Sequence, residues 1–517
     1  MVGRNRKHIS NKTKKRALFY LMKNIRIIIY TLFATLLLAN CSDDDSFTIS
    51  PNNLLTFSSD TIRMDTVFSR VPTSRKYFWV YNKSGDGIRC TNVRLENGNQ
   101  SGFRVNVDGV YLGKESGYQT NDVEIRNKDS IFVNIELTSP QNNQRIPTLL
   151  SDNLVFSLQS GVQQKVNLNA YSWDAEIVRD LVIKHDTLIS SDRPIVIYGG
   201  LRIDSLATAT IAPGTTLYFH SKSKLDVYGR LVANGTAEKN ITFRGDRTDR
   251  MFDYLPYDMV SGQWDGIHFH TSSYDNVMNY TDTHSTFNGI VCDSSDVSRL
   301  KLSLYNSTVH NCQGYGVKST NSVIDIRNSQ LTNALNDCVA IYGGGAMLLN
   351  CTIGQFYPFD SNYGAALRFT NGITDDDGTK HDYPLYQMDC INSIVTGNAD
   401  DVVMGVVQDS TKAYSYKFIN SILRTDSLAE SENIKGVIWE NADSIDVDTV
   451  SGGPKNFKLI NMNRQHFDFH LSDKSRAINA ALSEGEYAMP HDRDGKTRDS
   501  KPDIGCYEYF EEEKNNQ

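Results

Sequence analysis

Five short segments of this chain carry one pattern: Asn, then Ser or Cys, then any residue, then Val, Ile or Leu. They are Asn306-Ser307-Thr308-Val309, Asn328-Ser329-Gln330-Leu331, Asn350-Cys351-Thr352-Ile353, Asn392-Ser393-Ile394-Val395 and Asn420-Ser421-Ile422-Leu423. The first two intervals are 22 residues each, and the next two are 42 and 28. Apolar residues precede each Asn at alternate positions, as in Leu302/Leu304, Ile324/Ile326 and Tyr416/Phe418. Alternation of this kind buries one face of a strand. Short strands repeating near 22 residues fit the coils of a parallel β-helix. Stacked coils set like residues in rows. The five Asn are therefore expected to form an amide ladder at a bend, satisfying backbone groups that the bend would strand.

The preceding stretch repeats in another register. Ile195/Ile197, Leu217/Phe219, Ile241/Phe243 and Ile267/Phe269 are apolar pairs at intervals of 22, 24 and 26. Together with Ala209-Thr210-Ile211-Ala212-Pro213-Gly214-Thr215 and the run Gly229 to Glu238, they resemble the right-handed parallel β-helix repeat family of Bacteroidetes surface lipoproteins. The resemblance implies an all-β fold and specifies no activity. Upstream, Phe78-Trp79-Val80-Tyr81, Phe103-Arg104-Val105-Asn106-Val107, Ile131-Phe132-Val133-Asn134-Ile135, Leu154-Val155-Phe156 and Val166-Asn167-Leu168 are short strands parted by turn residues. They suggest an antiparallel sandwich, similar to the immunoglobulin-like modules that follow lipid anchors. Its expected task is to raise the solenoid off a membrane and cover its first coil. Downstream, Asp492-Arg493-Asp494-Gly495-Lys496-Thr497-Arg498 and Pro502 to Glu508 resemble a closing segment of bacterial β-helix proteins. The acids there have Arg493, Lys496 and Arg498 to neutralise them, which favours an ion-paired cap over a calcium loop. The expected organisation is a signal peptide over 1–40, an acidic tether over 41–46 and a β-sandwich over 47–173. A β-helix over 174–450 and a C-terminal cap over 451–517 complete it.

Lys23 and Arg26 precede a short apolar run from Ile27 to Leu38, as in a secretory signal. Leu38-Ala39-Asn40-Cys41 then resembles a bacterial lipobox, with Asn40 in place of the usual small residue, and implies lipidation at Cys41. Met22 is a second candidate start. The following Ser42-Asp43-Asp44-Asp45 resembles the export signal of Bacteroidetes lipoproteins displayed on the outer membrane. Membrane contact is then expected through the lipid alone. Net charge is −8, and all nine charged residues before Cys41 are basic, so the mature chain carries about −17. That surplus repels phosphates and anionic membranes, and nucleic acid is excluded as a partner. Seven Cys remain after Cys41, an odd number at irregular spacing, which suits small buried hydrophobes better than disulfides.

No metalloprotease helix, nucleophile elbow, phosphate loop or Cys-x-x-Cys pair is present. Stacking offers other candidates. With Phe219, Phe243 and Phe269 inward on successive coils, their neighbours point outward. One exposed column is then His220, Arg244 and His270, beside a second of Tyr218, Thr242 and His268. Arg and His suit a sugar carboxylate or sulfate, and Tyr offers a stacking face. The insertion 249–263 carries Met251, Phe252, Tyr254, Leu255, Pro256 and Tyr257, and is either a groove wall for sugar rings or a plug over the solenoid. A second insertion, 371–382, holds Asp375, Asp376, Asp377 and Asp382 with His381, a candidate calcium loop. Two functions remain open. The first is a surface protein binding a polysaccharide or another extracellular polymer. The second is a polysaccharide lyase or glycoside hydrolase using Arg244 with His220 or His270. The absence of an acidic triplet predicted beside Arg244 favours binding.

Overall fold

A computed structural model describes residues 46–375, 377–440 and 452–511. Cys41, Met22, the signal segment and Asp376 lie outside the described residues. The chain forms two compact units. The first comprises Met1–Arg63, Pro72–Thr138 and Ser151–Asn169, and the second Met64–Val71, Ser139–Leu150 and Ala170–Gln517.

The N-terminal strands form two five-stranded sheets, an all-β sandwich. Lys76–Asn82, Ser130–Leu137 and Phe103–Val107 pair antiparallel in one, and Ile88–Leu95 pairs antiparallel with Thr148–Leu158 and Gln119–Ile125 in the other. Their alternation puts Phe78, Val80, Val133 and Ile135 into the core from the first sheet, and Val93 and Phe156 from the second.

The second unit is a parallel β-helix. Its strands wind through three faces in a fixed order. On face I lie Lys224–Val227, Gly266–Phe269, Ile290–Cys292 and Leu367–Thr370. Face II holds Arg230–Asn234, Asn276–Asn279, Leu300–Tyr305 and Leu385–Ile391. Face III holds Ile241–Gly245, Thr281–His284, Thr308–Cys312, Gln330–Ala334 and Thr352–Gln355. The long strands Val317–Arg327 and Val339–Leu349 each turn the corner from face I to face II. Every coil-to-coil pairing among these strands is parallel, and the register holds except for irregularities between Leu300 and Leu302 and between Gly344 and Gly345, so each coil templates the next. The interior is filled by one apolar cluster, in which Phe219 stacks on Trp264 at 4.2 Å between ring centroids. Cys292, Cys312, Cys338, Cys351 and Cys390 are free and buried, the small hydrophobes the sequence called for.

The repeated Asn sits at the corner between faces II and III. Asn306, Asn328, Asn350, Asn392 and Asn420 all adopt left-handed φ, from 44° to 53°. Asn tolerates that conformation better than other side-chain-bearing residues. Their amides form the expected ladder in part: Asn328 donates to Asn306 (2.7 Å), which donates on to Asn279 (2.8 Å), and Asn392 donates to Asn350 (3.4 Å). The next residue builds a second, buried row. Ser329 Oγ accepts from the Ser307 amide (3.1 Å), and Ser393 Oγ accepts from the Cys351 amide (3.0 Å). The motif is therefore a corner device.

The C-terminal segment lies along this corner and over face III. Asn420 donates to the Ala480 carbonyl, Asn392 to Leu482 and Asn328 to His491, so the segment runs back against the winding of the coils. Cys506 N then bonds Thr352 Oγ1, and the Tyr507 hydroxyl donates to Gln330 Oε1 (2.8 Å). Ile394 and Ile422, on the outer side of face III, are buried with Phe457, Phe469 and Ile504. The Asp-rich run is structural, as its charge balance implied. Asp492 accepts from the amides of Asp494, Lys496 and Glu508, and Arg498 pairs with Glu508 at 2.8 Å with both side chains 2% exposed. Asn328 joins ladder and segment, since its Oδ1 also accepts from Arg498 (2.9 Å). Asn328→Ala is expected to cost about 2–3 kcal/mol, from lost buried bonds plus a strained φ. Asn328→Gly relieves the strain and should cost measurably less. Denaturation midpoints check this, and equal losses in the two variants would remove the turn from the explanation.

Candidate functional site

On face I the coil register builds one outward row: Arg202, Asp226, His268, Val291, Lys318, Ala340, Arg368 and Met404. Inward neighbours such as Leu225, Val227, Ile267 and Phe269 are buried and fix which side faces out. Gly266 opens the strand that carries His268 and leads into His270. Its φ is +89°, and a Cβ there would meet the Asn288 carbonyl oxygen at 1.5 Å, so only glycine fits.

Toward the C-terminal coils the row enters a groove of about 930 Å³. Tyr315, Tyr342 and Tyr363 line it together with Lys318, Arg368 and Asp337. Asp337 is buried and takes Arg368 through Nε (2.7 Å) and Nη2 (3.1 Å) while accepting the Ala365 amide (2.8 Å). This fork holds the guanidinium flat. Lys318 Nζ lies 5.2 Å from the Tyr315 ring centroid and 5.6 Å from that of Tyr342, and has no carboxylate partner among the described residues. Burial pushes the Tyr342 phenol up, so it serves as a neutral hydroxyl and a ring surface.

The groove's far wall is the second insertion, a hairpin of Gly372–Thr374 with Lys380–Asp382. Asp376 of the candidate calcium loop lies outside the described residues, and the acids on either side of it are engaged within the hairpin. Asp375 accepts from His381 (2.7 Å), and Asp377 accepts the Thr379 amide (2.9 Å), so tight hairpin closure consumes both locally. Ligand-type atoms converge at two other places, Asp226–His268–His270 and Asp282–His284–His310.

The two predicted columns do not form. Tyr218 registers with Arg244, and Phe219 with Gly245, on face III; Phe269 registers with Val227 on face I. The interval of 26 joined strands of different faces, because insertion 249–263 lengthens that coil, while the interval of 24 stayed on face III, where Leu217 registers with Phe243. His220 and Arg244 are thereby separated from His268 and His270. His220 sits at the end of a face III strand, bonded to Asp246 (2.7 Å) and stacked on Tyr198. Tyr218 is 6% exposed and lies under the Arg244 guanidinium, 5.1 Å from its ring centroid. Tyr257 is packed against Arg247 (3.5 Å), whereas Tyr254 projects, 53% exposed, from the tip of the insertion.

Of the two alternatives for insertion 249–263, the plug holds. Asn311 donates to the Met259 carbonyl, Ser261 bonds the Tyr357 hydroxyl, and Leu255 is buried. Asp258 descends onto face III, where it meets Arg244 (2.9 Å) and His284 (2.7 Å). Asp282 takes the other ring nitrogen of His284 (2.8 Å), and His310 stacks on His284. Burial opposes a charge on His284, but Asp282 and Asp258 outweigh it and raise its pKa to about 10. Burial likewise opposes ionisation of Asp282, yet His284 and His310 hold it well below the usual carboxylate range. A single carboxylate, Asp258, stands beside Arg244 and immobilises the arginine.

Sequence reasoning missed Asp226, Asp293, Lys318, Arg368 and Tyr342. Their one signal was outward placement between inward apolar residues, as in Leu225-Asp226-Val227 and Leu367-Arg368-Phe369, and only the register says which of these align.

No family model and no curated protein sequence matches the chain. Among solved structures it is similar to pectate lyase Pel9A, at 10% identity over 66% of this chain and 88% of that one, with a TM-score of 0.29. It is also similar to the catalytic unit of a thermostable GH87 α-1,3-glucanase from Streptomyces thermodiastaticus strain HF3-3, at 12% identity over 70% and 75%, with a TM-score of 0.28. A protein of unknown function from Porphyromonas gingivalis W83 aligns over 26% of this chain and 58% of its own length, at 14% identity and a TM-score of 0.18. These likenesses carry no statement about activity.

The buried His284 makes a pH prediction. With its folded pKa raised to about 10 from 6.5, its stabilising contribution is complete below 6.5 and is lost as pH rises toward 10. The melting-temperature gap between the native chain and His284→Gln should be widest at pH 6 and narrow steadily to pH 10. A gap constant over that window would show that His284 is not held charged.

Proposed function

We propose that this chain is a lipid-anchored cell-surface protein that binds a polysaccharide along face I of its solenoid. The groove holding Tyr315, Tyr342, Tyr363 and the unpaired Lys318 carries this reading. Tyrosine rings offer flat apolar faces with a polar edge, the chemistry that sugar rings present in return. Lys318 and the fixed Arg368 fork donate to hydroxyls or to a uronate carboxylate. Coils spaced about 4.8 Å apart repeat such donors along the axis, which suits an extended polymer.

A lyase or hydrolase built on Arg244 fits less well. That side chain is bound to Asp258 beneath the plug, and His220 and His270 stand on different faces. The lipobox-like segment at Cys41 and the aspartates after it support anchoring to the outer membrane with the groove facing outward.

Affinity electrophoresis against neutral and uronate-containing polysaccharides tests the reading, with released oligosaccharides followed by mass spectrometry. Retention without product release is expected, and Lys318→Ala and Tyr363→Ala should each weaken it about tenfold. Retention unaffected by either substitution would move the site off face I. Oligosaccharide release would establish an enzyme instead of a binder.

A further inference from the structure

We infer that Asp226, His268, His270 and Asp293 form a binding site for a divalent transition metal ion of the zinc class. The four residues are a block on three successive coils of face I. Asp226 registers with His268, and Phe269 registers with Cys292, which brings His270 beside Asp293. His270 directly follows the strand that carries His268, and the two rings lie side by side, 4.0 Å between centroids.

Their ligating atoms are already gathered. His270 Nε2 is 2.8 Å from Asp226 Oδ1, His268 Nε2 is 2.8 Å from Asp293 Oδ1, and His270 Nδ1 is 3.5 Å from Asp293 Oδ2. Ligand atoms of Asp226, His268 and His270 all lie within 4.8 Å of one another. A tetrahedral ion with ligand bonds of 2.0–2.1 Å separates its ligand atoms by about 3.4 Å, so small side-chain rotations suffice. Coordination needs the imidazoles neutral, and an ion would replace the two short His–Asp bonds with His–metal and Asp–metal bonds while releasing the ring protons.

Supports behind the block fix the rings. Tyr228 stacks on His270 at 3.9 Å between centroids and 2° between planes. The buried Lys301 holds the strand from behind, donating to the carbonyls of His270 (2.8 Å) and Ser273 (3.1 Å). Such second-layer contacts orient metal-binding imidazoles. Lys224 competes at the mouth, 3.1 Å from Asp226, with its side chain 46% exposed.

Two imidazoles with two carboxylates select a borderline ion over calcium, which takes oxygen ligands. The other convergent group, Asp282–His284–His310, is less suited. His284 there is only 7% exposed and lies beneath the plug, clamped between Asp282 (2.8 Å) and Asp258 (2.7 Å), with Arg244 also on Asp258. The Asp226 block also stays open to solvent, with side-chain exposures from 17% to 35%. It borders a groove of about 440 Å³ lined by His268, Lys224, Phe287 and Asn288. An ion there stands on the same outward row as Lys318 and Arg368, facing whatever lies along face I.

The test uses the ion alone, so it stands whether or not the chain binds glycans. Full-length protein stripped with chelator is titrated with zinc by calorimetry, and its cobalt(II) form is read by visible absorption. One equivalent of zinc and a four-coordinate cobalt spectrum are expected, with calcium failing to compete. His270→Gln and Asp226→Asn should weaken zinc binding by about a hundredfold or more, whereas His310→Gln should leave it unchanged. Circular dichroism confirms that the variants fold, and the conservative replacements keep the volume of the native side chains. No zinc uptake by the native chain overturns the inference. Uptake that survives His270→Gln and Asp226→Asn, or that is lost with His310→Gln, overturns it equally.

Discussion

The left-handed Asn between faces II and III is the constraint on which the solenoid depends. A single residue at positive φ turns the chain from one sheet into the next without a loop. The amide and hydroxyl rows then satisfy the polar groups that so sharp a corner leaves in the interior. From Tyr280 onward this corner keeps one length in successive coils, and the face III strands that follow it stay in register. The C-terminal segment uses the same flatness, reading Asn328, Asn392 and Asn420 by hydrogen bonds as it passes. A protruding loop at that corner would have left it nothing to lie against.

Parallel stacking has a cost that the outer rows show plainly. Residues one coil apart are neighbours, so like charges in a row repel unless an opposite charge is interleaved. The chain meets this with Asp partners: Asp246 for His220, Asp226 and Asp293 for the two face I histidines, Asp258 and Asp282 for Arg244 and His284. Buried pairs of this kind stabilise little over apolar packing, and losing one partner is the damaging event. Lys318 is the departure from this rule within the groove. It rests over two tyrosine rings where other cations have a carboxylate.

The architecture was legible wherever the spacing was regular. The 22-residue intervals at Asn306, Asn328 and Asn350 reflect true coil repeats, and the rows they forecast exist. The all-β reading, the buried cysteines and the structural role of the Asp492 run follow from equally local patterns. The surface columns failed because outward alignment depends on pairing across a coil whose length the sequence does not mark. Ile267/Phe269 match Ile241/Phe243 in pattern, yet they stack on Leu225/Val227. Hydrophobic alternation tells which side chains face in, and that signal is identical on all three faces. Which polar residues meet outside is set by loop lengths, and insertion 249–263 reassigned Arg244 from an open face to a covered one.

Loop placement decides where a ligand can lie. From Tyr280 onward the corner from face II to face III is only one or two residues, Tyr280 and then Asn with Ser or Cys, so that edge of face III raises no wall and the face is roofed instead. The plug covers its Arg244–His284 side and the C-terminal segment its Thr352–Ile394 side. Long connections fall at the two edges of face I. The turn before Leu367–Thr370 contributes Asn362, Tyr363 and Gly364 to the groove, and the turn after it contributes Ile373, Thr374, Asp375 and Asp377. A strand sheet with loops rising on both edges is a channel, and a sheet edged by such short corners is a platform for packing. The His268–His270 block lies on the same face as the channel, toward the other end of the outward row, where its side chains keep their access to solvent.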